Sequence, residues 1–178
     1  MTRVARFEQI VLPHLDAAFN LARWLTRNDS DAQDVVQESF IRALRYFDRL
    51  KGTEARPWLL GIVRNTCFSM LQRSRQAVQT VEFDEAEFDA ALVEAEPAHA
   101  DPFVQLQRRR MRGQIDAAIR ALSPPLREVI VLRELEELDY AQIAAIAAVP
   151  IGTVMSRLSR AREKLRAALT RTHSGPTP

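Results

Sequence analysis

Apolar residues return every three or four positions through most of this chain, the spacing that buries one face of an α-helix. Phe7, Ile10 and Val11 precede Pro13, and Leu15, Phe19, Ala22 and Leu25 carry the face beyond it. A helix over residues 3–26 is therefore predicted to break or bend at the proline, which lacks an N–H and clashes with the preceding turn. Asn28-Asp29-Ser30-Asp31 offers turn chemistry and N-cap oxygens. The next helix, residues 32–47, is predicted to bury Val36, Phe40, Ala43 and Phe47 and to leave Asp34, Gln37, Glu38, Arg42 and Arg45 outside. A third runs over residues 57–73, with Trp58, Leu59, Ile62, Val63, Phe68 and Leu71 apolar and Arg64, Asn65 and Arg73 polar.

The C-terminal pattern is sharper. Ser123-Pro124-Pro125 starts a helix holding Val129, Ile130, Leu132 and Leu135, a scaffold to pack behind the two helices after it. Residues 140–147 form a short helix with Ile143, Ala144 and Ala147, small and branched side chains that let helices cross closely. A second helix opens near Pro150, where a fixed φ and a missing N–H cost nothing. Its apolar face is Val154, Leu158, Ala161, Leu165 and Leu169. At about 100° per residue, Gly152, Ser156, Ser159, Arg160 and Glu163 lie opposite, flanked by Thr153, Met155, Arg157, Arg162 and Lys164. Two helices in a tight turn, the second small, hydroxylated and basic on its outer face, match a helix-turn-helix that offers base-reading and phosphate-binding groups to DNA. An ordinary charged amphipathic helix shares that pattern, and the turn carries Ala148-Val149 where many such turns place a left-handed glycine.

Composition narrows the class. Over 178 residues, 47% hydrophobic content is enough to give one or two small helical domains a core, and only five Gly supports an all-α protein. A single cysteine excludes an intramolecular disulfide and fits a reducing compartment. No apolar run reaches membrane-span length and the N-terminus lacks a signal-peptide core, so a cytoplasmic location is expected. The net charge of +2 hides a segregation: residues 76–107 hold eight acids and neither Lys nor Arg, while both flanks are basic. The chain divides into a domain over residues 1–75, an acidic linker over 76–107 with a short helix expected around 85–94, a second domain over 108–172, and a disordered tail at 173–178. Basic lobes are an electrostatic footprint of nucleic-acid binding.

Enzymatic chemistry finds little support. His14, His99 and His173 lie in no metal-ligand spacing, Cys67 has no local His, and Asp84-Glu85 sits in the linker without a rigid shell. No enzyme activity, cofactor or metal is expected, and Cys67 reads as a small apolar filler.

Four segments in order carry a resemblance. DSDAQDVVQESFIRA at residues 29–43, RPWLLGIVRNTCFSML at 56–71, LSPPLREVIVLRELEELDYAQIA at 122–144 and PIGTVMSRLSRAREKL at 150–165 together resemble the extracytoplasmic-function group of bacterial sigma factors. The resemblance spans nearly the whole chain. It implies core RNA polymerase as a partner, through the β′ clamp helices and the β flap, promoter DNA as a second, and an anti-sigma protein as a third. Positions matching the polymerase-docking motif are Asp31, Asp34, Gln37 and Glu38, although a capped helix with solvated acids shows the same residues. For the minus-10 element the resemblance points to Asn65 on the strand, with Lys51, Arg56 and Arg64 near its phosphates. Capture of an unstacked base needs such a basic, hydrogen-bonding surround. For the minus-35 element it makes Ser156, Ser159 and Arg160 the base-edge readers and Thr153, Arg157 and Arg162 the phosphate contacts. Met155 stands where some relatives carry a basic residue. Thr53, in the loop before Pro57, offers a hydroxyl to phosphorylation, although exposed loop threonines are mostly inert.

The linker has a physical task under this reading. Promoter elements two helical turns apart lie roughly 70 Å from each other, and a flexible 32-residue strap averages about 30 Å yet extends to about 105 Å. Two other classes stay open: a conventional helix-turn-helix regulator that binds duplex operator without polymerase, and a helical protein whose basic faces serve an acidic partner.

Overall fold

The structure, a computed structural model, describes residues 2–52, 54–78 and 102–173. These form eight α-helices and no strand. The expected helix at 85–94, Thr53 and residues 174–178 lie outside the described residues.

In the N-terminal lobe, α1 (Arg3–Val11) begins where the Ala5 N–H donates to Thr2 Oγ1 at 3.2 Å. It gives way to a single 3-10 turn at Leu12–His14 containing Pro13, and α2 (Leu15–Thr26) comes next, so the break falls at the proline as its missing donor requires. Leu15, the first residue of α2, remains 43% exposed, and the buried face passes to Ala18, Leu21, Ala22 and Leu25. Helix α3 (Asp29–Tyr46) starts three residues earlier than the pattern suggests, because Asn28 is the cap: the Asp31 N–H donates to its Oδ1 at 2.9 Å. Helix α4 (Ala55–Val78) likewise starts ahead of Pro57, which sits within the first turn and so removes no hydrogen bond from the helix.

α2, α3 and α4 pack on one another around Leu21, Leu25, Val35, Leu59, Leu60 and Val63. Phe7 joins α1 to this core, its ring edge-on to Phe47 at 5.4 Å and to Phe40 at 6.3 Å.

The C-terminal lobe comprises α5 (Pro102–Arg120), α6 (Pro124–Ile130), a π-turn at Val131–Leu135, α7 (Tyr140–Ala147) and α8 (Ile151–His173). Residues 102–107, expected as linker, are the first turns of α5, and α4 likewise runs three residues into that expected linker. Pro102 suits a first helical position, so the helix opens there. Pro124 and Pro125 open α6 for the same reason. A capping box starts α7: the Gln142 N–H donates to Asp139 Oδ1 at 2.8 Å and the Asp139 N–H to Gln142 Oε1 at 3.1 Å. Ala148 ends it at φ 53°, ψ 45°, so an alanine takes the left-handed position that glycine usually fills. α8 then leaves α7 at 99°, within the range of helix-turn-helix pairs. Val129, Ile130, Leu132, Ile143, Val154, Leu158 and Ala161 form the core beneath them.

The two lobes pack against each other, α4 on α7 and α2 on α6 and the π-turn.

Candidate nucleic-acid interface and the contact between the lobes

On α8 the expected division of faces holds. Val154, Leu158 and Ala161 are fully buried, whereas Ser156, Ser159, Arg160 and Met155 are exposed on the other side. Burial of the stripe fixes the rotation of the helix and so aims the serines and Arg160 outward. Ser156 Oγ donates to the Thr153 carbonyl at 3.0 Å, a local bond that leaves its lone pairs accessible. Thr153 and Arg157 are half-buried at the flank. Arg162 is exposed but tethered: its Nη2 donates to Glu134 Oε1 at 2.8 Å, and hydrogen bonds to Glu134 and Tyr140 raise its guanidinium above the ordinary range. A shallow open groove of 430 Å³ runs between Tyr140, Met155, Ser159 and Arg162.

On α3, Asp34 and Gln37 are exposed and Asp31 and Glu38 half-buried. Glu38 pairs with Arg42 one turn on, and more loosely with Arg73 of α4 at 3.9 Å. Ile41, 57% exposed, continues the row of residues 34, 37 and 38 at helical spacing. Sequence reasoning passes over it, yet an isoleucine in an otherwise polar row is the available signal.

Of the four residues assigned to the minus-10 strand, Arg56 and Arg64 are paired with the other lobe, while Lys51 and Asn65 line a groove beside that contact. Arg56 Nη2 meets Glu136 Oε2 at 2.5 Å, and Asn20 Nδ2 donates to Glu136 Oε1 at 2.5 Å. Arg64 Nε donates to Glu128 Oε1 at 2.6 Å while its guanidinium stacks 4.4 Å from the Phe68 ring centroid. Glu128 is fully buried, its Oε2 without a hydrogen-bond partner among the described residues, and Glu136 is 3% exposed. Lys51 and Asn65 are exposed at a groove of 670 Å³ whose far wall is α7, through Ala141, Gln142, Ala145 and Ile146. Across this groove Gln142 Nε2 donates to Glu54 Oε2 at 3.1 Å.

Arg127, which the sequence reading passes over, is a further joint. Its guanidinium donates to the carbonyls of Ile119, Arg120 and Leu122 at the end of α5 and, at 3.2 Å, to the Trp24 carbonyl of α2. Helix C-terminal carbonyls attract a cation. Burial, and after it the repulsion of Arg27 and Arg120, pulls its pKa down to about 10, so it stays charged at neutral pH. Cys67 is fully buried in α4, and burial pushes its thiol up to about 12, which removes it from nucleophilic chemistry.

Comparison with known proteins places both halves. Residues 10–77 match the model of sigma-70 region 2, and residues 112–165 that of sigma-70 region 4. The RNA polymerase sigma-H factor of Pseudomonas aeruginosa is 34% identical over 169 residues, covering 92% of this chain and 86% of the relative. The ECF RNA polymerase sigma factor SigE of Mycolicibacterium smegmatis is 31% identical over 171 residues; the match takes in 96% of this chain but only 64% of that longer relative. Among solved structures, the sigma factor RpoE of Bartonella quintana, crystallised with the anti-sigma factor NepR, superposes with a TM-score of 0.72 at 28% identity, over 93% of this chain and 97% of that one. With regions 2 and 4 both matched, in order, and relatives above 30% identity along most of its length, the chain belongs to the extracytoplasmic-function group of the sigma-70 family.

Proposed function

We propose that this chain is an alternative sigma factor that binds core RNA polymerase through α3 and directs initiation at promoters through α4 and α8. The single observation that carries the reading is the outer face of α8: two hydroxyls and an arginine project from a helix locked by Val154, Leu158 and Ala161 and set at 99° to its predecessor. Such a helix enters a major groove with its small side reading base edges. The N-terminal lobe, residues 1–75 with the helical extension to Val78, takes the polymerase and minus-10 roles. Asp31, Asp34, Gln37 and Glu38, extended by Ile41, form the docking face for the β′ clamp helices. Lys51, Arg56, Arg64 and Asn65 hold the opened strand. The second lobe reads the minus-35 element with Ser156, Ser159 and Arg160, while Thr153, Arg157 and Arg162 steady the backbone; Met155 supplies apolar contact, and the β flap supports this lobe. An anti-sigma protein is the natural regulatory partner, since RpoE of Bartonella quintana forms such a complex. The protein performs no catalysis of its own and works in the cytoplasm; no single described helix is long and apolar enough to cross a membrane.

Gel filtration with purified core polymerase tests the first half of this reading. The wild-type chain is expected to co-elute with core, and Asp34→Arg with Glu38→Arg to elute alone while keeping its helical circular dichroism. A folded wild-type chain that never co-elutes would instead favour a regulator acting on duplex DNA by itself.

A further inference from the structure

The contact between the lobes puts carboxylates where the proposed function needs phosphates. Arg56 and Arg64 are each held by a glutamate of the C-terminal lobe, Glu136 at 2.5 Å and Glu128 at 2.6 Å. Both carboxylates are buried, and their side-chain bonds run across the lobe contact, to Arg56 and Asn20 from Glu136 and to Arg64 from Glu128. A carboxylate and a phosphodiester offer a guanidinium the same acceptor, two oxygens sharing a negative charge at a spacing suited to its paired donors. Lys51 and Asn65 stay exposed beside them, at an open groove whose far wall is α7.

We propose that Glu128 and Glu136 are intramolecular mimics of DNA phosphate, holding the chain in a closed form in which its own C-terminal lobe occupies Arg56 and Arg64. This rests on the strand-binding role proposed above for Arg56 and Arg64. The pairing suits exchange better than permanence. Burying two ions sacrifices the hydration of both, and among the described residues Glu128 Oε2 recovers no hydrogen bond for its share. Separation of the lobes returns the carboxylates to water and frees both guanidinium groups for strand phosphates, so ion pairs are traded and not lost. Closed and promoter-bound forms thereby exclude each other, since one set of cations serves both. The Arg127–Trp24 carbonyl bond lies outside this exchange and adds a contact that opening must break.

Energy transfer between dyes on the two lobes of the full chain tests this directly. Gln9→Cys on α1 and Ala167→Cys on α8 are exposed labelling positions, and buried Cys67 stays unlabelled. High transfer is expected for the otherwise wild-type chain at low salt. Glu128→Gln with Glu136→Gln is expected to raise the open-to-closed ratio by about tenfold or more, the scale of losing a partner of a buried ion. Reversing both pairs, with Arg64→Glu, Glu128→Arg, Arg56→Glu and Glu136→Arg together, is expected to restore high transfer. Anisotropy of a single-stranded oligodeoxynucleotide of about twelve residues supplies the second readout: the Gln pair should bind it about tenfold tighter, a gain abolished by Arg56→Ala with Arg64→Ala.

Unchanged transfer in a folded Gln pair would overturn the closed form, and opening without tighter strand binding would overturn the mimicry. Should the Gln pair fail to fold, titration of the same oligonucleotide into the labelled wild-type chain decides. Strand binding that leaves transfer high, or no binding at any strand concentration, refutes the exchange. Co-elution with core polymerase is independent of every one of these outcomes, so the sigma assignment stands or falls separately.

Discussion

Arg160 projects from the outer face of α8 and packs against nothing that its loss would open as a cavity. Its replacement by alanine should therefore leave the melting temperature almost unchanged, while removing about 1–3 kcal/mol of discrimination at one minus-35 base pair. Competition binding with single-base promoter variants reads this out. Cys67 behaves in the opposite way, invisible to ligands and tied to folding. Its folded thiol titrates near 12 against an ordinary 9.0, so the unfolded chain releases the proton first as pH rises. The stability this provides is complete below pH 9 and is lost between 9 and 12, by up to about 1.4 kcal/mol per pH unit. Denaturant titrations across that window should show the decline, and Cys67→Ala should lack this component of it. At this scale the sequence is an uneven guide. Ser156, Ser159 and Arg160 are legible because local periodicity alone turns them outward. The partners of Arg56 and Arg64 are not, because an arginine is satisfied equally by a phosphate or by a carboxylate 64 or 80 positions away. One signal is present: Glu128 lies within an apolar run one turn before Leu132, a register where a carboxylate requires a buried cation.

Helices are easier to foresee than their ends. The break at Pro13, the stripe of α8 and the scaffold of α6 all come from spacing and from the missing proline donor. Periodicity sets the starts of α3 and α4 too late, because Asn28 caps from outside the periodic segment and because Pro57 is tolerated inside a first turn. The end of α7 is the informative exception. Ala148 holds φ 53°, ψ 45°, where its Cβ crowds the backbone and glycine would not. Ala148→Gly should accordingly raise stability by about 1 kcal/mol, less the extra freedom that glycine gives the unfolded chain. Thermal melts of the two proteins measure the difference, and a lower melting temperature for the glycine variant would mean that the turn is not strained as described. A tighter turn without change in the α7–α8 angle should leave DNA recognition intact, since the reading face depends on the burial of Val154, Leu158 and Ala161.

For the whole molecule, charge segregation along the chain announces two basic lobes, and four motifs in order announce their identity. Neither says how the lobes lie against each other. That arrangement depends on α4 meeting α7 and α2 meeting α6, contacts between residues distant in sequence that periodicity cannot encode. With the strand-binding role proposed for Arg56 and Arg64, it also gives the molecule a choice between partners, because the two cannot hold Glu136 and Glu128 and a promoter strand at once. What unites the scales is the proposed division of labour, with α3 for polymerase, α4 for the opened strand and α8 for the duplex. Run-off transcription from a pool of genomic promoter fragments, with purified core polymerase and this chain as the only added factor, tests that division most directly. Discrete transcripts that vanish when the chain is omitted, and that lose their start-site selectivity with Arg160→Ala, are the predicted result. A folded chain that binds core polymerase yet yields no defined starts from any fragment would contradict it.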